Sequence, residues 1–356
     1  MARIAIVGGG LAGLAAAHTL SRARHSVLVL EAEPRLGGQI HTARSDGFVA
    51  ELGAEGYVAR SDALPKLARE LGVEKELVGQ VEQRSLGYRS GQLQELAPGE
   101  SAAFLGFQVA KQDLGEGIRT LRGGMAQLIE ALEQKLASHV ELRLGFELKQ
   151  IERRAKGFTL RAADGTSLTA DKLVIATSAH AAAPLLGAQI GPAALELAQV
   201  TAHSSVNVSL AFPRAAIAHP LNATGVVFAQ EDQLHGCRAC VFASSKFAER
   251  APEGHVNLRV FFRPEPRELK MLSDSEYKER ALQVLARVVG PTGPAEKTWV
   301  ARWPDALPVF DAESKQILQA LETALKGSGI AVAGSAFHGS GIDAAVRSGL
   351  SVDKRL

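Results

Sequence analysis

Apolar residues come in short unbroken runs near the start and end of the chain, and in alternation with polar ones between. The runs at 3–7, 26–30, 172–177 and 330–334 read as strands buried on both faces, as in a parallel sheet. Residues 140–144 and 147–151 read as further strands. Alternation at 204–212, 225–229, 238–243 and 256–262 predicts an antiparallel sheet with one covered face. Turn residues set two hairpins, 84–96 around Ser90-Gly91 and 158–170 around Asp164-Gly165. Helical periodicity marks 14–20, 62–71 ending at Gly72, 126–136 and 274–289. No repeat or linker separates these patterns, so two domains are expected to interleave. Residues 1–59, 119–190 and 325–356 are assigned to a Rossmann-like α/β domain. Residues 60–118 and 191–324 are assigned to a second domain built on a mostly antiparallel sheet.

Composition narrows the classes. A chain of 356 residues with 46% hydrophobic and 22% charged residues has enough apolar surface for two cores. Its net charge of +2 argues against nucleic acid as a partner. No run of eighteen apolar residues is present, so no membrane-spanning helix is expected. The two cysteines, and a strand beginning at once with no apolar leader, predict a reducing, cytoplasmic setting. Cys237 and Cys240 have C-x-x-C spacing. They sit in a strand-like run rather than at a helix N-terminus, so structural thiols are expected over a redox pair or metal ligands.

The first candidate chemistry is the stretch after the opening strand. Gly8, Gly10 and Gly13 fit G-x-G-x-x-G, a helix of small residues follows, and the second strand ends on Glu31. In such a unit Gly8 permits the tight turn and Gly10 lets backbone approach a pyrophosphate. Gly13 lets helix and strand pack closely, and the helix N-terminus faces the phosphates. Glu31 is placed to accept hydrogen bonds from ribose hydroxyls and to repel a 2′-phosphate. The unit alone leaves FAD and NAD open.

The next residues carry a resemblance. Residues 31–42, Glu-Ala-Glu-Pro-Arg-Leu-Gly-Gly-Gln-Ile-His-Thr, resemble the E-x-x-x-R-x-G-G-R-x-x-T signature of the FAD-dependent amine oxidase superfamily, which also holds protoporphyrinogen oxidases and carotenoid desaturases. Further segments follow in the oxidases' order. Gly123-Gly124-Met125 resembles their G-G-(L/M)-x-x-L turn, and 172–177 their D-x-V-V-x-A-T-P strand, with Ser178 for proline. Residues 302–308 resemble their R-W-x-x-(A/G)-(I/L)-P segment, and 334–346 their C-terminal glycine motif. The resemblance implies noncovalent FAD held by Gly8, Gly10, Leu11, Ala12 and Gly13, by Glu31 and Ala32, and by Gly37, Gly38 and Gln39. It adds Gly53, Ala54, Glu55 and Gly56 beside the flavin, Leu148 at the adenine, and Trp303. Gly334, Gly341, Ile342 and Asp343 would stand at the flavin's O2 end. No metal is implied.

The activity so implied is oxidation of protoporphyrinogen or coproporphyrinogen to the porphyrin in heme biosynthesis, by hydride transfer to flavin N5. Trp303, Phe310 and Phe337 are candidate walls for a planar tetrapyrrole, Arg84 or Arg89 a candidate propionate anchor, and His338 a candidate pocket acid or base. Of these only Trp303 is favoured over a plain packing or surface role, and His338 stands even between pocket and loop. Four departures bear on this. Gln39 replaces the usual arginine after the glycine pair and cannot neutralise phosphate. Val309 and Phe310 replace Gln and Tyr, and the histidine that follows in the family is missing. Only about twenty residues, near 97–117, stand where protoporphyrinogen oxidases carry a helical segment that walls the substrate pocket. An open pocket with an apolar rim is therefore expected, suited to a partner chain or peripheral membrane contact. The rival readings are a flavin amine oxidase or desaturase, against which Ser335 after Gly334 counts, and a non-catalytic flavoprotein.

Overall fold

The structure, a computed structural model, describes residues 1–58, 61–97, 99–104, 117–291 and 293–356. Most of the 97–117 stretch, on which the open-pocket expectation rests, lies outside the described residues.

A five-stranded parallel sheet forms the first layer, in the order Val140–Arg143, Ser26–Leu30, Arg3–Val7, Lys172–Ile175, Ile330–Val332. Its central strands are apolar at nearly every position because both faces are covered. On one face lie the Leu11–Arg22 and Ala126–Leu136 helices. Leu173, Ile175, Ala5 and Leu28 project to the other face, where they meet the Ala179–Ile190 and Ala312–Leu325 helices. A three-stranded antiparallel sheet, Leu148–Arg153, Phe158–Ala162 and Ser167–Ala170, packs into that second core.

The second layer is a seven-stranded sheet that takes its strands from 85–96, 202–262 and 297–308. All its pairings are antiparallel except that of Gly225–Phe228 with Ser85–Arg89. Val206, Val208, Leu210 and Phe212 turn to one side and pack with Tyr277, Val284 and Leu285 of the Asp274–Val288 helix. Ser205, Asn207 and Ser209 alternate to the opposite side, towards the first layer.

Two parts of the pattern differ from expectation. Residues 179–199, for which the pattern marks no element, form helices, beginning with Ala179–Ile190. Ser178, which stands for the family's proline, caps that helix by accepting from the Ala181 amide at 3.3 Å. Residues 297–308 form a twelve-residue edge strand that periodicity did not show. Among the described residues, no helix is long and apolar enough to cross a membrane.

Candidate cofactor and active site

The site is assembled around the glycine turn. Leu11–Arg22 begins directly after Gly10, so its free amides open at the carboxyl end of the Arg3–Val7 strand. A Cβ on Gly13 would overlap the Gly8 carbonyl oxygen, so only glycine allows this helix to lie so close to its strand. Glu31 stands beside the turn. Its Oε2 accepts from the Gly9 amide at 2.6 Å and its Oε1 from the Glu33 amide at 2.9 Å. The Phe146 amide donates to the Glu31 carbonyl at 2.8 Å, which brings the approach to Leu148 alongside.

The second glycine pair is locked onto the first. The Gly37 amide donates to the Gly9 carbonyl at 2.9 Å, and Gly10 and Gly37 form a parallel bridge. Arg35 holds this turn from beneath, donating to the carbonyls of Leu36, Gly38 and Ile40 at 2.7–3.1 Å. Gln39 turns away from the glycines: its Nε2 donates to the Ala306 carbonyl at 2.9 Å, and its own carbonyl accepts from Ala54 at 2.9 Å.

Residues 52–56 lie between this turn and the seven-stranded sheet. The Leu52 carbonyl accepts from Trp303 Nε1 at 2.7 Å and from Asn207 Nδ2 at 2.9 Å. Arg259 donates to the Gly53 carbonyl. Glu55 pairs with Lys246 through Oε1 and lies 3.7 Å from Arg259 through Oε2. Burial pushes the Glu55 carboxyl up, but the Lys246 and Arg259 charges outweigh it and hold the group below its usual range. Glu51 is buried and its carboxyl is raised, because burial there outweighs the Met125 amide and Thr42 hydroxyl that donate to it at 2.7 Å. Thr42 also accepts from the Ala126 amide at 3.0 Å, so the pair caps the Ala126–Leu136 helix.

The C-terminal motif closes the ring. Gly334 comes within 3.5 Å of Ala12 Cβ, measured from the place a Cβ on Gly334 would take. Gly341 has φ of +95° and no atom within 4 Å of where its Cβ would stand, and the Ile342–Leu350 helix starts there. That helix crosses Leu11–Arg22 at Gly349, whose absent side chain would meet Ala15 Cβ at 2.7 Å. Asp343 is buried, accepting from Ser61 Oγ at 2.7 Å and Arg347 Nε at 2.9 Å.

The remaining candidates lie elsewhere. Phe337 is buried in the core behind the parallel sheet and Phe310 packs against it. His338 Nε2 bonds the Val332 carbonyl at 3.0 Å, with Nδ1 3.5 Å from Glu322; burial is the main reason its pKa is lowered. Arg84 donates to the Asn222 carbonyl. Arg89 lies 3.7 Å from Glu231 and covers the Phe104 ring at 4.8 Å. Cys237 and Cys240 are fully buried in one strand, and burial raises both thiols. Sequence reasoning passed over Asn207, Lys246, Arg259 and the turn-holding role of Arg35. The alternation Ser205-Val206-Asn207-Val208-Ser209 carried a signal for Asn207, since it puts an amide on a covered face.

Residues 11–107 and 95–352 match the model of the flavin containing amine oxidoreductase family. The chain belongs to this family. It is 23% identical to the coproporphyrinogen III oxidase of Bacillus subtilis (strain 168), over 95% of this chain and 94% of that protein. The coproporphyrinogen III oxidase of Propionibacterium freudenreichii subsp. freudenreichii is 33% identical over 63% of this chain and 42% of its own length. Among solved structures, a provisionally named protoporphyrinogen oxidase from Exiguobacterium sp. 255-15 superposes with a TM-score of 0.83. That match is 24% identical and covers 98% of this chain and 97% of the other.

The protein is an FAD-dependent oxidoreductase, and the residues present fit the cofactor. Two helix N-termini offer amides to anionic groups, at Gly10–Leu11 and Gly341–Ile342. Glu31 is the hydrogen-bond acceptor a ribose needs. The space beside Gly341, which any side chain would enter, lets backbone approach a ring closely.

Proposed function

We propose that the protein oxidises a porphyrinogen, protoporphyrinogen or coproporphyrinogen, to the porphyrin, a step of heme biosynthesis. The observation that carries this reading is the setting of Trp303. It stands on the edge strand of the seven-stranded sheet and hydrogen-bonds the Leu52 carbonyl, at the segment that lies along the cofactor cradle. The aromatic face of Trp303 suits a planar macrocycle. The likeness to two coproporphyrinogen III oxidases points the same way.

When bound, FAD would supply the oxidising chemistry, as acceptor of a hydride equivalent from a substrate carbon, with oxygen or a quinone as the final acceptor. The chain's own residues bind and orient. Backbone amides at Ile342 favour negative charge at that end of the cradle. Arg259, Asn207 and Trp303 fix residues 52–53 through their carbonyls, so the wall along the cofactor is rigid. Porphyrinogen to porphyrin takes three such two-electron steps, with a proton lost to solvent alongside each hydride; His338 is held against the Val332 carbonyl.

Porphyrin formation tests the reading. FAD-loaded protein should convert protoporphyrinogen or coproporphyrinogen to the fluorescent porphyrin well above the spontaneous rate. Gly341→Val should abolish this, because it fills the open space and strains a left-handed residue. Conversion no faster than without protein would defeat the proposal.

A further inference from the structure

One peptide unit, between Gly53 and Ala54, joins the seven-stranded sheet to the glycine-pair turn. Its carbonyl, on Gly53, accepts from Arg259, and its N–H, on Ala54, donates to the Gln39 carbonyl at 2.9 Å. The C=O and N–H of a trans peptide point in opposite directions. A single amide therefore stands between the Arg259 guanidinium and the turn that carries Gly37 and Gly38. Gly53 permits this approach, since a Cβ there would meet the Gln39 carbonyl oxygen at 1.8 Å. The turn is in turn bonded to Gly9 and bridged to Gly10, so the guanidinium lies at the cradle that fits FAD.

The charge behind that amide is unbalanced. Glu55 pairs with the Lys246 ammonium and lies 3.7 Å from Arg259 Nη1. The Lys246 and Arg259 side chains are only 6% and 2% exposed, so water screens neither well. Burial raises the Glu55 carboxyl, but the two cations hold it below its usual range, and it stays ionised at neutral pH. Two cations against one carboxylate leave one positive charge over. Glu51 and Arg250, the next buried charges, do not reverse this, because they are one of each sign. Arg250 donates to the Leu121 and Arg122 carbonyls at 2.9 and 2.7 Å, and Glu51 accepts from the Met125 amide and Thr42 hydroxyl. Among the described residues, Arg259 Nε and Nη1 have no hydrogen-bond partner, and the Phe261 ring covers the guanidinium at 4.3 Å. Little besides Glu55 and the Gly53 carbonyl offsets the Arg259 charge.

We propose that the excess positive charge of Lys246, Arg259 and Glu55 tunes the flavin bound alongside residues 53–56, favouring its reduced form. Hydride transfer breaks a substrate C–H bond and carries its electron pair, with the hydrogen, to the isoalloxazine ring. The ring thereby gains one negative charge. A buried positive charge stabilises that charge without touching the ring, because poorly screened Coulomb energy falls slowly with distance. The inference rests on FAD and on no particular substrate, so it stands or falls apart from the porphyrinogen reading.

The midpoint potential of the FAD-loaded protein, freed of unbound FAD and equilibrated anaerobically with a redox dye, tests this. Lys246→Met removes a positive charge, leaves Glu55 facing Arg259, and should lower the potential by at least about 30 mV, tenfold in the two-electron equilibrium constant. Lys246→Arg keeps the charge and should keep the potential. Glu55→Gln removes a negative charge and should raise the potential by a similar amount. The double variant Lys246→Met/Glu55→Gln has the net charge of wild type and should return close to its potential. Loosened packing alone would not give single variants opposite signs. Equal potentials in Lys246→Met and Lys246→Arg overturn the proposal, and that comparison decides alone if Glu55→Gln does not fold. Shifts of one sign in both single variants, or a double variant displaced as far as Lys246→Met, overturn it as well.

Discussion

Two carboxylates of the candidate site act in different ways. Glu31 faces the glycine turn, and in the folded chain its oxygens already accept from the Gly9 and Glu33 amides. With ribose hydroxyls added, each charge-assisted bond is worth about 1.5–3 kcal/mol. Glu31→Ala should therefore raise the FAD dissociation constant more than tenfold in titration calorimetry; an unchanged constant would speak against the assigned role. Glu55 acts on stability instead. Lys246 and Arg259 are buried, and Glu55 is the carboxylate both face. Removing one partner of such a cluster leaves buried charge uncompensated, at a cost of about 3–5 kcal/mol. Glu55→Gln should show a loss of that order in denaturant unfolding. The pH dependence follows from the direction of the Glu55 shift. Its native pKa lies below the ordinary 4.5, so its contribution is present above that value and is lost as the pH falls through the native pKa. Glu51, raised by burial, acts with the opposite sign over the range above 4.5. The acid-side decline should be shallower in Glu55→Gln than in wild type, and identical slopes would refute the pairing.

At the scale of elements, the crossing of the Leu11–Arg22 and Ile342–Leu350 helices decides whether two N-termini converge on one ligand. Gly349 lies against Ala15 and Ala16 with no room for a side chain, the Ala16 amide being 3.0 Å from where a Cβ would stand. Gly349→Val should force the helices apart, destabilise the fold by roughly 1–3 kcal/mol and release FAD on gel filtration. A variant that stays yellow with unchanged melting would show that the crossing is not a constraint. The same elements show what could be read from sequence. The strands of the parallel sheet were legible because burial on both faces leaves a continuous apolar run. The Ser90-Gly91 hairpin was legible because its turn needs residues of positive φ, and these have +51° and +79°. The edge strand 297–308 was hidden, since Pro304 and a register shift opposite 203–205 interrupt its alternation. Motif order was legible at Gly8, Glu31 and Gly37. The cluster of Lys246, Arg259 and Glu55 was not, because Glu55 lies about two hundred residues from the other two and each alone reads as a surface charge.

At the scale of the molecule, the chain passes between the two layers several times, and the segments that cross bring the sheets to opposite sides of residues 52–56. One sheet delivers helix N-termini and Glu31; the other delivers Trp303, Asn207 and Arg259. Such an arrangement suits a dinucleotide laid along one layer with its reactive ring towards a sheet face. Family membership and fold account for FAD and for oxidation, while fold alone does not choose the substrate. The choice between porphyrinogen, amine and no substrate turns on whether the flavin accepts electrons from a given donor. Anaerobic mixing of the FAD-loaded protein with coproporphyrinogen or protoporphyrinogen, followed by flavin absorbance, measures this directly. Rapid bleaching by at least one porphyrinogen, and none by primary amines, is expected. Bleaching by an amine with neither porphyrinogen active, or a flavin left oxidised by every donor, would contradict it.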